Sequence, residues 1–189
     1  VSGAMTTGMT KDVTKEMTEE LRQAAERLLD EAGRRRLTLA VAESLTGGMV
    51  ASALADVPGA SRVLVGAVVA YAMRVKSQVL GVDPVRLAEV GPVDSVVAEQ
   101  MAAGVSRLMG ADLGVATTGV AGPGGADGHE AGTVHLAVVS GWGTRLQELH
   151  LPGGRTQVRC TTTLRALEMV TQLLTSGVPG EGGRQAKEG

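Results

Sequence analysis

The sequence predicts an α/β fold: a three-layer α/β/α sandwich around a mixed β-sheet. Three observations predict it. Segments of helical apolar period alternate with short apolar runs, in the order αβαβααβββα. Two of the runs lead through a polar or charged turn into helical pattern, as strands of a parallel sheet do. The third instead meets two segments that alternate around Gly141-Trp142-Gly143, which predicts an antiparallel hairpin and so a mixed sheet. With 189 residues, 43% of them hydrophobic, the chain suffices for one sizeable core.

From about Asp12 to Gly33, Met17, Leu21, Ala24, Leu28 and Ala32 recur at helical spacing, and Gly33 is a natural C-terminal stop. Leu37 to Ala42 (LTLAVA) reads as a buried strand that empties into Glu43-Ser44-Leu45-Thr46-Gly47-Gly48 and a helix-like MVASALA. Val63 to Ala72 reads as a second buried strand, delivering the only tyrosine, Tyr71, and followed by a charged stretch with Arg74 and Lys76. Pro84 opens a small helix, and Asp94 or Ser95 caps the next, whose inward face is Val97, Met101, Val105 and Leu108.

Leu113 to Gly119 (LGVATTG) is the third strand, ending in AGPGGADGHE, too rich in glycine and proline for regular structure. After the hairpin, Pro152-Gly153-Gly154 precedes a last helix with Cys160, Leu164, Leu167, Thr171 and Leu174 on one face. The expected division is residues 1–12 as a disordered extension (Val1 to Ala4 precede Met5 as a cloning scar would), 13–175 as one domain, and 176–189 as a disordered tail.

Composition removes several classes of function. Lys and Arg number 18 against 20 Asp and Glu, so the net charge of −2 offers no basic field for nucleic acid. One Trp, one Tyr and no Phe leave nothing for base stacking. A single cysteine precludes an internal disulfide framework and fits a reducing compartment. No apolar run reaches membrane-span length and the N-terminus lacks a secretory layout, so a cytoplasmic protein without membrane association is expected. GxxxxGK[ST], GxGxxG after a strand, GxSxG and a second zincin histidine are all absent. His129, His135 and His150 are scattered, so neither a metal site nor a cofactor is expected.

Three polar turns at strand ends remain: Glu43 to Gly48, Tyr71 to Lys76, and Thr117 to Gly125. Ligands of α/β sheets collect at such ends, where hydroxyls, glycine loops and helix-start NH groups can hold phosphate. Ser44 and Thr46 could equally cap the following helix, the glycine loop could be a plain connector, and Lys76 a solvated surface lysine.

Ala42-Glu43-Ser44-Leu45-Thr46-Gly47-Gly48 resembles the AESxTGG signature of the CinA C-terminal domain family, whose stand-alone members include bacterial nicotinamide-nucleotide amidases. The likeness continues in order through Pro58 to Ser61, Gly66 to Tyr71 with Lys76, and Leu80-Gly81-Val82. It then takes in Thr118 to Pro123, Gly132-Thr133-Val134, and Pro152-Gly153 with Arg155, spanning roughly Leu37 to Leu174. Two positions depart from it. Met73 stands where the family has Asn, and Asp94 where its GAVS turn has Ser.

The resemblance implies deamidation of nicotinamide mononucleotide to nicotinic acid mononucleotide and ammonia, in pyridine-nucleotide recycling. It implies Ser44 as nucleophile, Lys76 as its general base, and Tyr71 as a hydroxyl aiding proton transfer. A lysine ordinarily titrating near 10.4 would need to be held about 2 to 3 pH units lower, about 3 to 4 kcal/mol against its charged form. NH groups of Thr46, Gly47 and Gly48 are candidate donors, to the oxyanion or to the substrate phosphate. Thr118, Gly119, Arg155 and Arg159 form the expected phosphate and ribose clamp, unless the two arginines are surface residues pairing with Glu. The expected partner is a small pyridine mononucleotide, with no nucleic acid and no membrane. A homodimer or higher homo-oligomer is expected, for which the apolar face of the first helix could serve. A regulatory or nucleotide-binding domain of weak activity, or an amidase for another pyridine nucleotide, is the alternative.

Overall fold

The computed structural model describes the backbone of residues 3–176 and the side chains of residues 17–176. Residues 1–2 and 177–189 lie outside it, and with them almost all of the expected C-terminal tail. The first helix, α1 (Gly3–Arg34), begins before the expected Asp12, so its backbone takes in residues 3–12.

Five strands form one sheet: β1 (Leu39–Glu43), β2 (Leu64–Val69), β3 (Leu113–Gly119), β4 (Thr133–Ser140) and β5 (Gly143–His150). Their spatial order is β2-β1-β3-β4-β5. β1 pairs in parallel with both β2 and β3, whereas β3–β4 and β4–β5 are antiparallel. The sheet is mixed because a crossover helix brings the chain back parallel, while a tight turn at Gly141-Trp142 cannot.

Helix α2 (Met49–Ala55) carries the chain from β1 out to β2, and α5 (Ser95–Met109) carries it back past β1 to β3. The two steps run in opposite directions, so crossovers of one hand put their helices on opposite faces. Two apolar clusters show this. Leu39, Val41, Leu113, Val115, Leu136 and Val138 face α1, α2 and α6 (Arg155–Thr175). Ala40, Ala42, Ala116 and Ala137 face α5. The apolar stripe of α1 (Ala24, Ala25, Leu28, Leu29, Ala32) is packed on α6 inside the chain.

Small residues on the α5 face let that helix lie unusually close. A Cβ on Gly114 of β3 would sit 2.0 Å from the Ala102 carbonyl, and one on Gly104 would sit 1.9 Å from that of Leu80. Leu80 ends α3 (Met73–Leu80), so α5 is clamped between the sheet and α3 and fixes where α3 stands.

Four expectations are corrected. The charged stretch after Tyr71 is this helix, α3, so the order is αβαβαααβββα. Its inward positions are Lys76 and Leu80, and a lysine at the inward position breaks the apolar stripe that would have announced a helix. The second strand is not buried but an edge, with Val65 49% and Val69 48% exposed. Leu108 of α5 is exposed, its place in the core being taken by Ala98, Ala102 and Gly104. On α6 the inward face centres on Val158, Ala166, Leu167, Val170 and Leu174, leaving Cys160, Leu164 and Thr171 at its border. The remaining helix, α4 (Pro84–Val90), starts with the proline expected there and is capped by Asp83. Among the described residues no helix is long and apolar enough to cross a membrane.

Candidate active site

The carboxyl ends of β1, β2 and β3 meet where the chain leaves β1 toward one neighbour and returns beside the other, a position at which α/β sheets leave a crevice. Ser44 is the first residue after β1. Its NH donates to Thr117 O of β3 at 2.9 Å, which fixes it at the mouth of that crevice, and it is 9% exposed. The chain then turns sharply through Gly47 (φ 62°) and Gly48 (φ 98°), both in the left-handed region that only glycine occupies freely.

What holds this turn is Glu43. Its carboxylate is fully buried and accepts from the NH groups of Gly48 (2.8 Å), Val50 (3.2 Å) and Ala51 (2.8 Å). Three donors and the positive end of α2 compensate a charge that would otherwise be costly to bury. Glu43 therefore caps α2, and neither Ser44 nor Thr46 does. The Thr46 hydroxyl shares a 2.7 Å hydrogen bond with that of Thr117, tying the turn to β3.

Lys76 reaches Ser44 through the neighbouring strand. Glu43 pairs with Val69 in register, and Ala70 NH donates to Glu43 O at 2.7 Å, so residue 70 lies beside the end of β1. Side chains of a helix lean toward its N-terminus, and Lys76 folds back over the first turn of α3. Its Nζ donates to Ala70 O at 2.5 Å, stands 3.5 Å from Tyr71 O, and lies 3.0 Å from Ser44 Oγ. The side chain is completely buried and, among the described residues, forms no ion pair. Burial pulls its pKa down from 10.5 to about 8, against a weaker opposing pull from the carboxylate of Asp127. Two carbonyls thus take two N–H groups, and a neutral amine is left with its lone pair toward the Ser44 hydroxyl.

In front of Ser44 opens a cavity of about 270 Å³. Its wall includes Leu45, Tyr71, Thr118, Gly119 and Arg155, together with the glycine loop from Gly122 to Asp127. Arg155 donates to Gly122 O at 2.9 Å and to the Tyr71 hydroxyl at 3.0 Å, and among the described residues it forms no salt bridge. The Thr118 hydroxyl donates to Pro92 O at 2.6 Å, which leaves it able only to accept from a ligand. A Cβ on Gly119 would lie 2.4 Å from Thr133 O, so glycine is required where β3 leaves the sheet.

The structure brings Ser44, Lys76, Thr118, Gly119 and Arg155 to one place and redirects the others. The Tyr71 hydroxyl is bound to Arg155 and makes no hydrogen bond to Ser44 or Lys76, because Tyr71 is 61% exposed at the rim; only its main-chain carbonyl turns inward. Arg159 does not line the cavity. It lies one helical turn deeper than Arg155 and donates to Leu45 O (3.0 Å) and Thr46 O (2.7 Å) behind the nucleophile turn. Of the three expected NH donors, Gly47 is spent on Ser44 O and Gly48 on Glu43. That of Thr46 is unpartnered among the described residues, and so is that of Leu45, which the sequence reading missed.

Asp94 accepts from the NH groups of Val96 and Val97 and pairs with Arg86, so it caps α5. Met73 is 49% exposed on the first turn of α3 and does not line the cavity. Among the described residues no three His, Cys, Asp or Glu side chains gather as metal ligands would. His129 and His135 meet edge to face at 6.5 Å.

Comparison with known proteins gives the family of the chain. The sequence model of the CinA C-terminal domain matches residues 6–174. A CinA-like protein of Frankia casuarinae is 46% identical over 146 residues, 77% of this chain and 34% of its own length. A competence-damage inducible protein of Desulforamulus reducens is 44% identical over 154 residues, 82% of this chain and 37% of its own. The chain thus spans about a third of the length of these relatives. Among solved structures, the competence/damage inducible protein CihA of Agrobacterium tumefaciens superposes with a TM-score of 0.79 at 36% identity, covering 82% of this chain and 95% of that one. A CinA superfamily protein of Klebsiella pneumoniae superposes at 0.80 and 29% identity, covering 83% and 99%. In sequence over nearly all its described length, and in fold, the chain belongs to the CinA C-terminal domain family.

Proposed function

We propose that the chain is a serine amidase that converts nicotinamide mononucleotide and water into nicotinic acid mononucleotide and ammonia. The observation that carries the reading is the fully buried Lys76 amine, 3.0 Å from Ser44 Oγ and held near pH 8. A buried lysine without a carboxylate partner is costly, and its benefit is a base at the pH where an amidase must work.

In this reading Ser44 Oγ attacks the carboxamide carbon while Lys76 Nζ takes its proton. The C=O electron pair moves to oxygen, facing the free NH groups of Leu45 and Thr46, which supply the oxyanion donors. Collapse expels ammonia, protonated by Lys76, and leaves an ester on Ser44. Water then attacks the ester with Lys76 again as base, and the nicotinate product departs. Arg155, unpaired with any carboxylate among the described residues, takes the phosphate; Tyr71 orients Arg155 rather than moving the proton. Arg159 supports the turn by holding the two carbonyls behind it. The substrate is proposed from the resemblance of the motifs; the Ser–Lys chemistry is what the geometry supports.

The test is ammonia release from nicotinamide mononucleotide by the chain and by its Ser44→Ala variant, with a chelator present. Turnover that vanishes in the variant supports the reading. Binding without turnover by the intact chain would favour a nucleotide-binding domain instead.

A further inference from the structure

The cavity in front of Ser44 is lined by two charged side chains of opposite sign, Arg155 and Asp127. Among the described residues neither is in an ion pair, with the other or with any further group, and the Asp127 side chain makes no hydrogen bond. Two opposite charges that share one cavity without meeting are complementary to a ligand carrying both signs at a separation.

Asp127 is also held in place. It occupies the first central position of a two-residue turn, Asp127-Gly128, with positive φ at both residues (52° and 79°). Ala126 and His129 close the turn by exchanging both main-chain hydrogen bonds, at 3.0 and 2.9 Å. Aspartate followed by glycine is a pairing that such turns select. Behind it, a Cβ on Gly125 would come within 2.6 Å of His129 O, so the loop is folded tightly on itself. The carboxylate therefore stands on a built hairpin facing the cavity, near enough to Lys76 for its field to act there.

We propose that Asp127 is a specificity-determining residue that recognises the positive charge of an N-substituted pyridinium ring, while Arg155 holds the phosphate at the other end. The assignment rests on the amidase reading and sharpens it. The site selects amides on a cationic ring and disfavours neutral ones, because a neutral ring would cover the carboxylate without compensating it.

The probe pair is nicotinamide mononucleotide and its reduced 1,4-dihydro form, which share phosphate, ribose and amide but differ in ring charge. Both are titrated by calorimetry into the full chain carrying Ser44→Ala, with and without Asp127→Asn. Asparagine-glycine suits the turn as well as aspartate-glycine, so the substitution preserves the loop. The expected result is about fivefold weaker binding of the oxidised nucleotide in the Asp127→Asn chain, and less than twofold change for the reduced one, as befits an ion pair near the surface. Equal weakening of both ligands, or of neither, overturns the role of Asp127 while leaving the amidase reading intact. If neither ligand binds the Ser44→Ala chain and the intact chain releases no ammonia from the oxidised one, the amidase reading falls and takes this assignment with it.

Discussion

Between pH 7 and pH 9, kcat/KM should follow the neutral fraction of Lys76. The amine is held at about 8 by burial, so about a tenth is neutral at pH 7, about half at pH 8 and about nine-tenths at pH 9. Since only the neutral amine can accept the Ser44 proton, kcat/KM should rise about fivefold from pH 7 to 8, less than twofold from 8 to 9, and then level off. The substrate phosphate has its second pKa near 6, so it is about nine-tenths dianionic by pH 7 and contributes little to that window. The assay is coupled ammonia detection at fixed ionic strength in amine-free buffers. Lys76→Arg keeps the charge but cannot lose its proton at these pH values, so its activity should fall about 100-fold or more with no rise across the window. A profile flat from pH 7 to 9, or a limb that survives in the arginine variant, would refute the argument that Lys76 is the base.

The same burial makes Lys76 a stability cost. Its folded pKa lies below its unfolded one, so the associated stability is fully present above 10.5 and lost as pH falls through about 8. Denaturant titrations should therefore show the stability gap between Lys76→Met and the parent changing by about 3 kcal/mol between pH 8 and 10.5, in the parent's favour as pH rises. Glu43→Gln, which trades a charged cap of three NH groups for a neutral one, should cost about 1–2 kcal/mol in urea unfolding. Arg155→Ala should raise KM more than it lowers kcat, and an unchanged KM would remove Arg155 from the site. Gly114→Ala would drive a methyl to 2.0 Å from the Ala102 carbonyl and should lower stability by about 3 kcal/mol or more, read as a drop in Tm.

Much of this was legible in the sequence because the relevant signals are local. Apolar runs and the hairpin alternation found all five strands and the mixed character of the sheet, and the Asp94 cap could be read from one residue and its followers. What failed was information carried by the third dimension. Helix α3 was hidden because its inward position is the catalytic candidate itself, and periodicity scores a lysine as outward. Strand β2 read as buried because an apolar run does not say whether it has one neighbour or two. The two arginines one turn apart on α6 look equivalent in sequence, yet one faces the cavity and the other the back of the nucleophile turn. Glu43 was set beside Ser44 in the motif but its role depends on α2 folding back over it; a carboxylate ending an apolar strand before Gly-Gly is the signal that could have found it. Asp127 gave the clearest unread hint, an Asp-Gly pair marking a tight turn within an otherwise irregular loop.

The most direct test of the central claim is to catch the ester on Ser44. The chain is mixed with nicotinamide mononucleotide, quenched in acid within the first turnovers, digested and mapped by mass spectrometry. An acyl adduct of the nucleotide on the Ser44 peptide, absent from the Ser44→Ala chain and discharged by hydroxylamine, is the predicted result. Ammonia release at full rate in the Ser44→Ala chain, with no adduct on any peptide of the parent, would show that water attacks the amide directly and that Ser44 is not the nucleophile.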